Sequence, residues 1–340
     1  MLEFKPWSRS TLDNALKKYK QDHILSILDI ELGGACNFKC IYCDTPKYTQ
    51  VLSYSIAQIE QLVSESYIDW LFICGLGEPT VPRNRNDLIK VLDICNKYSI
   101  GCSMFSNIEE FDSELFSYVK NGVLYPLFKL DSFSVEKIMQ IYGISKELAE
   151  NQIHNILEMP QYVNNENGLT NICASIVPSS YNKNELKDLV KWCYDHSIFP
   201  LIGDLEDAGN GQDYYTNLKV ADTELKDLKD YIKSTQGYDY EIPICPSVLF
   251  GLHIGYDGYV LVDEISGLSC HWFWLTEPKI MKLARFEKQS FRELSDIVIA
   301  NRNKMRNILN SLLKNRRKLI FGGCGGDIVD LLTYYLEKVN

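Results

Sequence analysis

Three cysteines fall within eight residues, at Cys36, Cys40 and Cys43, while the other eight of the eleven are scattered. A Cys-x3-Cys-x2-Cys loop of this kind can wrap its thiolates around three corners of an iron–sulfur cube. Such clusters generally take four cysteine ligands, yet no fourth Cys or His lies nearby; the next cysteine is Cys74. Three ligands leave one iron open, and an open coordination position is what chemistry requires. The competing reading is zinc, which prefers a closed tetrahedron of N and S ligands in structural sites. This loop cannot supply that alone. The N-terminus has no apolar stretch of a signal-peptide kind. The thiols are therefore expected to be reduced in the cytoplasm, and their spacing says more than their number.

The elements that must position this loop can be read from hydrophobic periodicity. Strand candidates lie at 24–32, 70–74, 100–106, 123–130, 171–178 and 199–205, with helical patterns such as 55–67, 87–98 and 184–196 between them. In the last helix Leu186, Leu189, Val190 and Cys193 recur at one-face spacing. Strands each followed by a helix imply parallel pairing with right-handed crossovers, in either a doubly wound sheet or a partial barrel. Both architectures place chemistry at the carboxyl ends of the strands. The cysteine loop, 33–48, follows the first strand directly. The second strand runs into Cys74-Gly75-Leu76-Gly77-Glu78-Pro79, and the third ends in Phe105-Ser106-Asn107. Glycines let a backbone approach a ligand closely, and a carboxylate pairs with an ammonium group. Asp131, Asp204, Glu206 and Asp207 also fall at predicted strand ends, where they are available to line a substrate pocket or simply to face solvent.

Here the sequence resembles the radical S-adenosylmethionine (SAM) superfamily. Its signature is Cys-x3-Cys-x-aromatic-Cys after the first strand, and this chain reads Cys36-Asn-Phe-Lys-Cys40-Ile-Tyr42-Cys43. The resemblance covers about residues 23–235. It implies a partial (β/α)6 TIM-like barrel, a [4Fe–4S] cluster on the three cysteines, and SAM chelating the open iron. Reductive cleavage of SAM would give a 5′-deoxyadenosyl radical that abstracts hydrogen from a substrate. The backbone near Tyr42 would touch adenine. Gly75, Gly77, Glu78 and Pro79 resemble the family's Gly-Gly-Glu-Pro loop for the SAM ammonium group, with Leu76 in place of its first glycine. Ser106 and Asn107 match a polar pair that contacts the ribose, and Ser175 is expected to face the SAM carboxylate.

Beyond residue 238 the pattern changes. Asp257-Gly258 sits between two alternating runs and predicts a β-hairpin, followed by a charged helical tail. Cys245, Cys270 and Cys324 lie here beside Pro, Ser or Gly rather than in apolar periodic runs. The region resembles the twitch/SPASM extensions of radical SAM enzymes, which implies one auxiliary [4Fe–4S] cluster on these cysteines. The family's hairpin-closing cysteine position is Asp263 in this chain. Asp263, Asp327, His271 or the substrate would complete the site, or the thiols hold zinc or nothing. The expected organisation is a lead-in over 1–22, a radical SAM core over 23–238 and an auxiliary-cluster domain over 239–340.

Composition bounds the partners. The chain has 340 residues, 46% apolar and 24% charged, with a net charge of −10. That acidity argues against a partner bound through phosphates, since nucleic-acid binders usually carry a basic footprint, and equally against an anionic membrane surface. No apolar run approaches the roughly 20 residues of a membrane span. Enzymes with this extension resemble maturases of ribosomally made peptides, or dehydrogenases and epimerases of sugars and aminocyclitols. Only 22 residues precede the first strand, too few for a leader-binding domain. Peptide oxidation, cross-linking or epimerisation is the leading expectation and a small polar sugar substrate the alternative. An external electron donor of flavodoxin or ferredoxin type is implied in either case. A non-catalytic iron–sulfur or zinc protein is the third reading, and it leaves the Gly75–Pro79 loop without a purpose.

Overall fold

The computed structural model describes residues 1–43, 51–203, 205, 210–240, 245–263, 267–269 and 280–302, with backbone only at 211–213, 263 and 280. The expected strands form at β2 (Ile27–Ile30), β3 (Trp70–Ile73), β4 (Gly101–Ser106), β5 (Leu124–Lys129), β8 (Cys173–Ile176) and β9 (Phe199–Ile202). All six pair in parallel, each beside the next in sequence. That order settles the choice left open by periodicity. A doubly wound sheet reverses its strand order at a switch point, and here the order runs one way, as in a (β/α) barrel.

The sheet continues on the other side of β2. Strand β10 (Gly251–Ile254) pairs in parallel with β2, and β11 (Tyr259–Asp263) and β12 (Ile280–Arg285) follow antiparallel, giving nine strands among the described residues. The predicted hairpin turn is present: Gly255 N–H donates to Tyr259 O at 3.0 Å, and Gly258 takes φ +77°. Residues from the 239–340 segment thus extend the same sheet as the core. A small second sheet joins β1 (Glu3–Phe4), β6 (Asn165–Glu166) and β7 (Leu169–Thr170).

The helices between strands begin and end where local chemistry dictates. Helix α2 spans Ile56–Val63, α3 Pro82–Tyr98, and α4 Ser113–Lys120. Helix α3 starts five residues ahead of its periodic stretch, with Pro82 in the first turn, where a missing N–H costs nothing. Asp112 caps α4 by accepting from the Glu114 and Leu115 N–H groups. Helices α5 (Val135–Tyr142) and α6 (Lys146–Glu158) are capped by Ser134 and Ser145, and α5 stops at Gly143 in the left-handed conformation. Helices α7 (Leu186–Asp195), α8 (Gly211–Leu218), α9 (Asp222–Gln236) and α10 (Pro246–Phe250) follow, and α11 (Phe291–Asn301) closes the described part.

Side-chain alternation sorts the two faces of the sheet. Cys102 of β4 hydrogen-bonds to Cys95 of α3, so one face is turned to the helices. Leu28, Leu71, Val91 and Leu92 are buried in the same core. The opposite, inner face then carries the register set His253, Asp29, Phe72, Ser103 and Tyr125 across five strands. Lys129 and Ser175, paired across β5 and β8, follow on it. Among the described residues no helix is long and apolar enough to cross a membrane.

Candidate functional site

The cysteine loop leaves β2 and is fastened from outside, because an irregular segment must find partners for its own backbone groups. Lys39 and Ile41 donate their N–H groups to the carbonyls of Tyr142 (2.8 Å) and Ile141 (2.9 Å) at the end of α5. Phe38 stacks on Tyr142 with ring centroids 5.3 Å apart. On the other side Asn210 donates its N–H to Cys43 O (2.8 Å) and its Nδ2 to Cys40 O (3.1 Å). The thiols are thereby held by α5 and by the segment entering α8.

Cys36 keeps a solvent-accessible edge, Cys40 is buried and Cys43 lies between. The protein packed around the Cys36 thiol lifts its pKa to about 11, against the Phe38 N–H that donates to its Sγ at 3.4 Å. Burial pushes Cys40 higher still, opposed chiefly by the Lys129 ammonium. The charges of Cys36, Cys40 and Cys43 act on one another in both cases. Thiols in that state keep their protons at neutral pH unless a strongly cationic centre displaces them. Three thiols in one loop, with a lysine and an aimed N–H beside them, fit an iron–sulfur cube with one open iron.

The Gly75–Pro79 loop is packed directly on this loop. Glu78 N–H donates to Ala35 O at 2.7 Å, one residue before Cys36. Gly77 sits at φ +74°, and a Cβ there would come within 2.4 Å of Ala35 O and 2.7 Å of Gly33 O. Asn84 Nδ2 ties the two together from α3, donating to Glu78 O at 2.9 Å and to Ala35 O at 3.4 Å. The Glu78 side chain is buried, and burial raises its pKa against the hydrogen bonds it receives. Its Oε1 accepts from Ser106 Oγ (2.7 Å), Thr80 Oγ1 (2.8 Å) and Thr80 N (3.1 Å); its Oε2 accepts from Asn107 N (2.6 Å). Oε2 therefore keeps one acceptor position. Asn107 Nδ2 reaches Asn37 Oδ1 in the cysteine loop at 2.7 Å, and Asn37 Nδ2 reaches Glu109 at 2.8 Å. Gly77, Glu78, Ser106 and Asn107 thus meet at one place beside the cysteines.

Tyr42 points its hydroxyl at Asp131, which also accepts from Tyr142 Oη (2.8 Å) and Val177 N (2.8 Å). Burial raises the Asp131 carboxyl, with Lys129 as the main opposing charge. Lys129 Nζ lies 5.0 Å from the Tyr42 ring centroid. Ser175 is the register partner of Lys129 on the neighbouring strand. Asp131 thereby fastens the aromatic residue of the cysteine motif to β5 and to the end of β8.

Cys245 is buried at the start of α10, among core side chains. Cys270, Cys324, His271 and Asp327, like Asp204, Glu206 and Asp207, lie outside the described residues, as does the side chain of Asp263. Sequence reasoning missed Asn37, Thr80, Asn84 and Lys129. Asn37 carried a local signal, a polar amide inside the cysteine motif. The other three acquire their roles only through packing.

No family model and no curated protein matches the sequence. Among solved structures, SuiB of Streptococcus suis bound to S-adenosylmethionine superposes with a TM-score of 0.59 at 16% identity, covering 86% of this chain and 72% of SuiB. SuiB bound to its precursor peptide SuiA gives 0.58 at 16% identity, over 86% of this chain and 71% of that one. The anSMEcpe structure with AdoMet and the Cp18Cys peptide gives 0.59 at 14% identity, over 88% of each chain. The one-way parallel strand order and these superpositions agree: this chain has the partial-barrel fold of SuiB and anSMEcpe.

Proposed function

We propose that this chain is a radical SAM enzyme that modifies a peptide. The observation that carries the reading is the lock between the two loops: Glu78 N–H on Ala35 O at 2.7 Å, with Gly77 pressed on the same backbone. If the Gly75–Pro79 loop binds the ammonium group of SAM, this joint would hold SAM beside a cluster on the cysteine loop. Cys36, Cys40 and Cys43 would hold a [4Fe–4S] cluster, which when bound would supply the electron that cleaves SAM to the hydrogen-abstracting radical. Glu78 Oε2 offers the remaining acceptor for the ammonium group, and Ser106 and Thr80 keep that carboxylate in place. Lys129, whose cation acts on the Cys36 and Cys40 charges, offsets negative charge in the site. The inner face of the sheet is the surface that a substrate would meet. SuiB and anSMEcpe, which share the fold, were solved with peptides, and that likeness favours a peptide over a sugar.

The test is iron and sulfide per chain after anaerobic reconstitution, with 5′-deoxyadenosine released under dithionite as the second readout. About eight irons in the wild type, falling to about four in a Cys36/Cys40/Cys43→Ala variant, support both a SAM cluster and an auxiliary one. About four falling to none keeps the SAM cluster and ends the auxiliary one. A variant that retains all wild-type iron and still cleaves SAM overturns the assignment.

A further inference from the structure

A second set of metal-binding side chains converges away from the cysteine loop. Asp29 of β2 and His253 of β10 are register partners on parallel neighbouring strands. Cys74 follows β3 directly, two residues beyond Phe72, which is the partner of Asp29 on the other side. One donor atom from each of Asp29, Cys74 and His253 lies within 4.8 Å of the other two. Asp29 and His253 are 1% and 0% exposed; Cys74 is partly exposed and gives a way in. Asp29 Oδ2 accepts from Ser247 Oγ of α10, whereas its Oδ1, fully buried, receives no hydrogen bond. Glu31, also buried, puts Oε1 3.6 Å from His253 Nε2 and accepts the Tyr256 N–H on Oε2 at 2.8 Å.

The donor set selects the ion. Mg²⁺ and Ca²⁺ want oxygen ligands, whereas one carboxylate, one imidazole and one thiolate suit a borderline divalent metal such as zinc. A carboxylate oxygen buried without a donor costs free energy that a bound cation removes. Ser247 on Asp29 and Glu31 beside His253 resemble the outer partners that hold metal ligands in orientation. We propose that Asp29, Cys74 and His253 form a mononuclear zinc site on the inner face of the sheet, with three protein ligands and a fourth position open. Open sites of that kind are catalytic rather than structural. The ion would sit one residue ahead of Gly75. The proposal is independent of SAM chemistry, since it shares no ligand with the cysteine loop.

The experiment uses the full-length chain, cluster reconstituted, then dialysed against zinc. Zinc per chain is measured by plasma emission and the ligand shell by X-ray absorption at the zinc edge. The expected result is one zinc with a single sulfur at about 2.3 Å and nitrogen or oxygen neighbours at about 2.0–2.1 Å. Cys74→Ser should remove the sulfur shell. Ser247→Ala, which keeps all three ligands, should retain that shell while weakening zinc binding by roughly 10–100-fold. An all-sulfur shell, a sulfur that survives Cys74→Ser, or a folded wild type that takes up no zinc overturns the proposal.

Discussion

Gly77 and Gly237 share one backbone strain and differ in what surrounds them, which makes them a matched pair. Gly77 has φ +74° and Gly237, capping α9, has φ +76°. An alanine at either site pays for a left-handed conformation, about 1–2 kcal/mol, and gains the same restriction of the unfolded chain. At Gly237 the new Cβ meets nothing within 4 Å, whereas at Gly77 it meets Ala35 O at 2.4 Å, Gly33 O at 2.7 Å and Gly34 C at 2.8 Å. These are backbone atoms, so no side chain can swing aside. Overpacking of this kind costs about 1–3 kcal/mol, and that is the expected difference between the two variants. At about 2 °C per kcal/mol, the low end for a long chain, Gly77→Ala should melt roughly 2–6 °C below Gly237→Ala. The displacement also moves Ala35, next to Cys36. Reconstituted iron should fall in Gly77→Ala and stay at the wild-type level in Gly237→Ala. Equal melting temperatures with equal iron would refute the packing of the two loops.

Other consequences follow from the same geometry. Glu78→Gln turns one acceptor oxygen into an amide donor facing Asn107 N or the Thr80 and Ser106 hydroxyls. It should cost about 1–3 kcal/mol at neutral pH and weaken SAM binding measured by calorimetry; unchanged affinity removes Glu78 from the ammonium site. Burial holds the Glu78 carboxyl above its ordinary pKa. A group that binds its proton more tightly folded than unfolded adds stability below the ordinary carboxylate range, and that stability is lost as pH rises through the raised value. Over that window urea midpoints should therefore fall less in Glu78→Gln than in the wild type. Asp131→Asn leaves one carbonyl oxygen to serve Tyr42, Tyr142 and Val177. It should destabilise the chain by about 1–3 kcal/mol, with a smaller loss for Tyr42→Phe. If both variants unfold at the wild-type midpoint, the network does not anchor the cysteine loop.

The parts of this site that could be read from the sequence are local ones. Cys36, Cys40 and Cys43 stand out because three thiols within eight residues must share one loop. The strands were legible because, at β2, β3 and β9, every residue but Asp29 is apolar and every residue but Trp70 is buried. What was not legible is which side chains meet across strands. Glu78 finds Ser106 and Asn107 only after β3 and β4 pair, and Tyr42 finds Asp131 only after the loop docks on α5. The Asp29–His253 pair depends on β10 returning beside β2, a pairing that periodicity does not reveal. A signal for half of it was present. In Ile27-Leu-Asp29-Ile-Glu31 two acids stand at alternate positions of a strand covered on both faces, where apolar residues are the rule. Such a pattern says that one face of the strand meets something other than core.

The departure at Leu76 has a physical explanation that the motif alone could not give. Of the loop's residues, Gly75 at φ +102° and Gly77 at φ +74° need the conformational freedom of glycine, and Gly77 also needs the missing Cβ. Leu76 has no positive φ and is buried, 4% exposed. A side chain at that position is buried without requiring a left-handed backbone. Gly77, constrained by its close approach to Ala35 and Gly33, and Gly75, constrained by its positive φ, are the two positions that remain glycine. The loop's geometry therefore depends on where its backbone must bend and touch, and a leucine between those points leaves it intact.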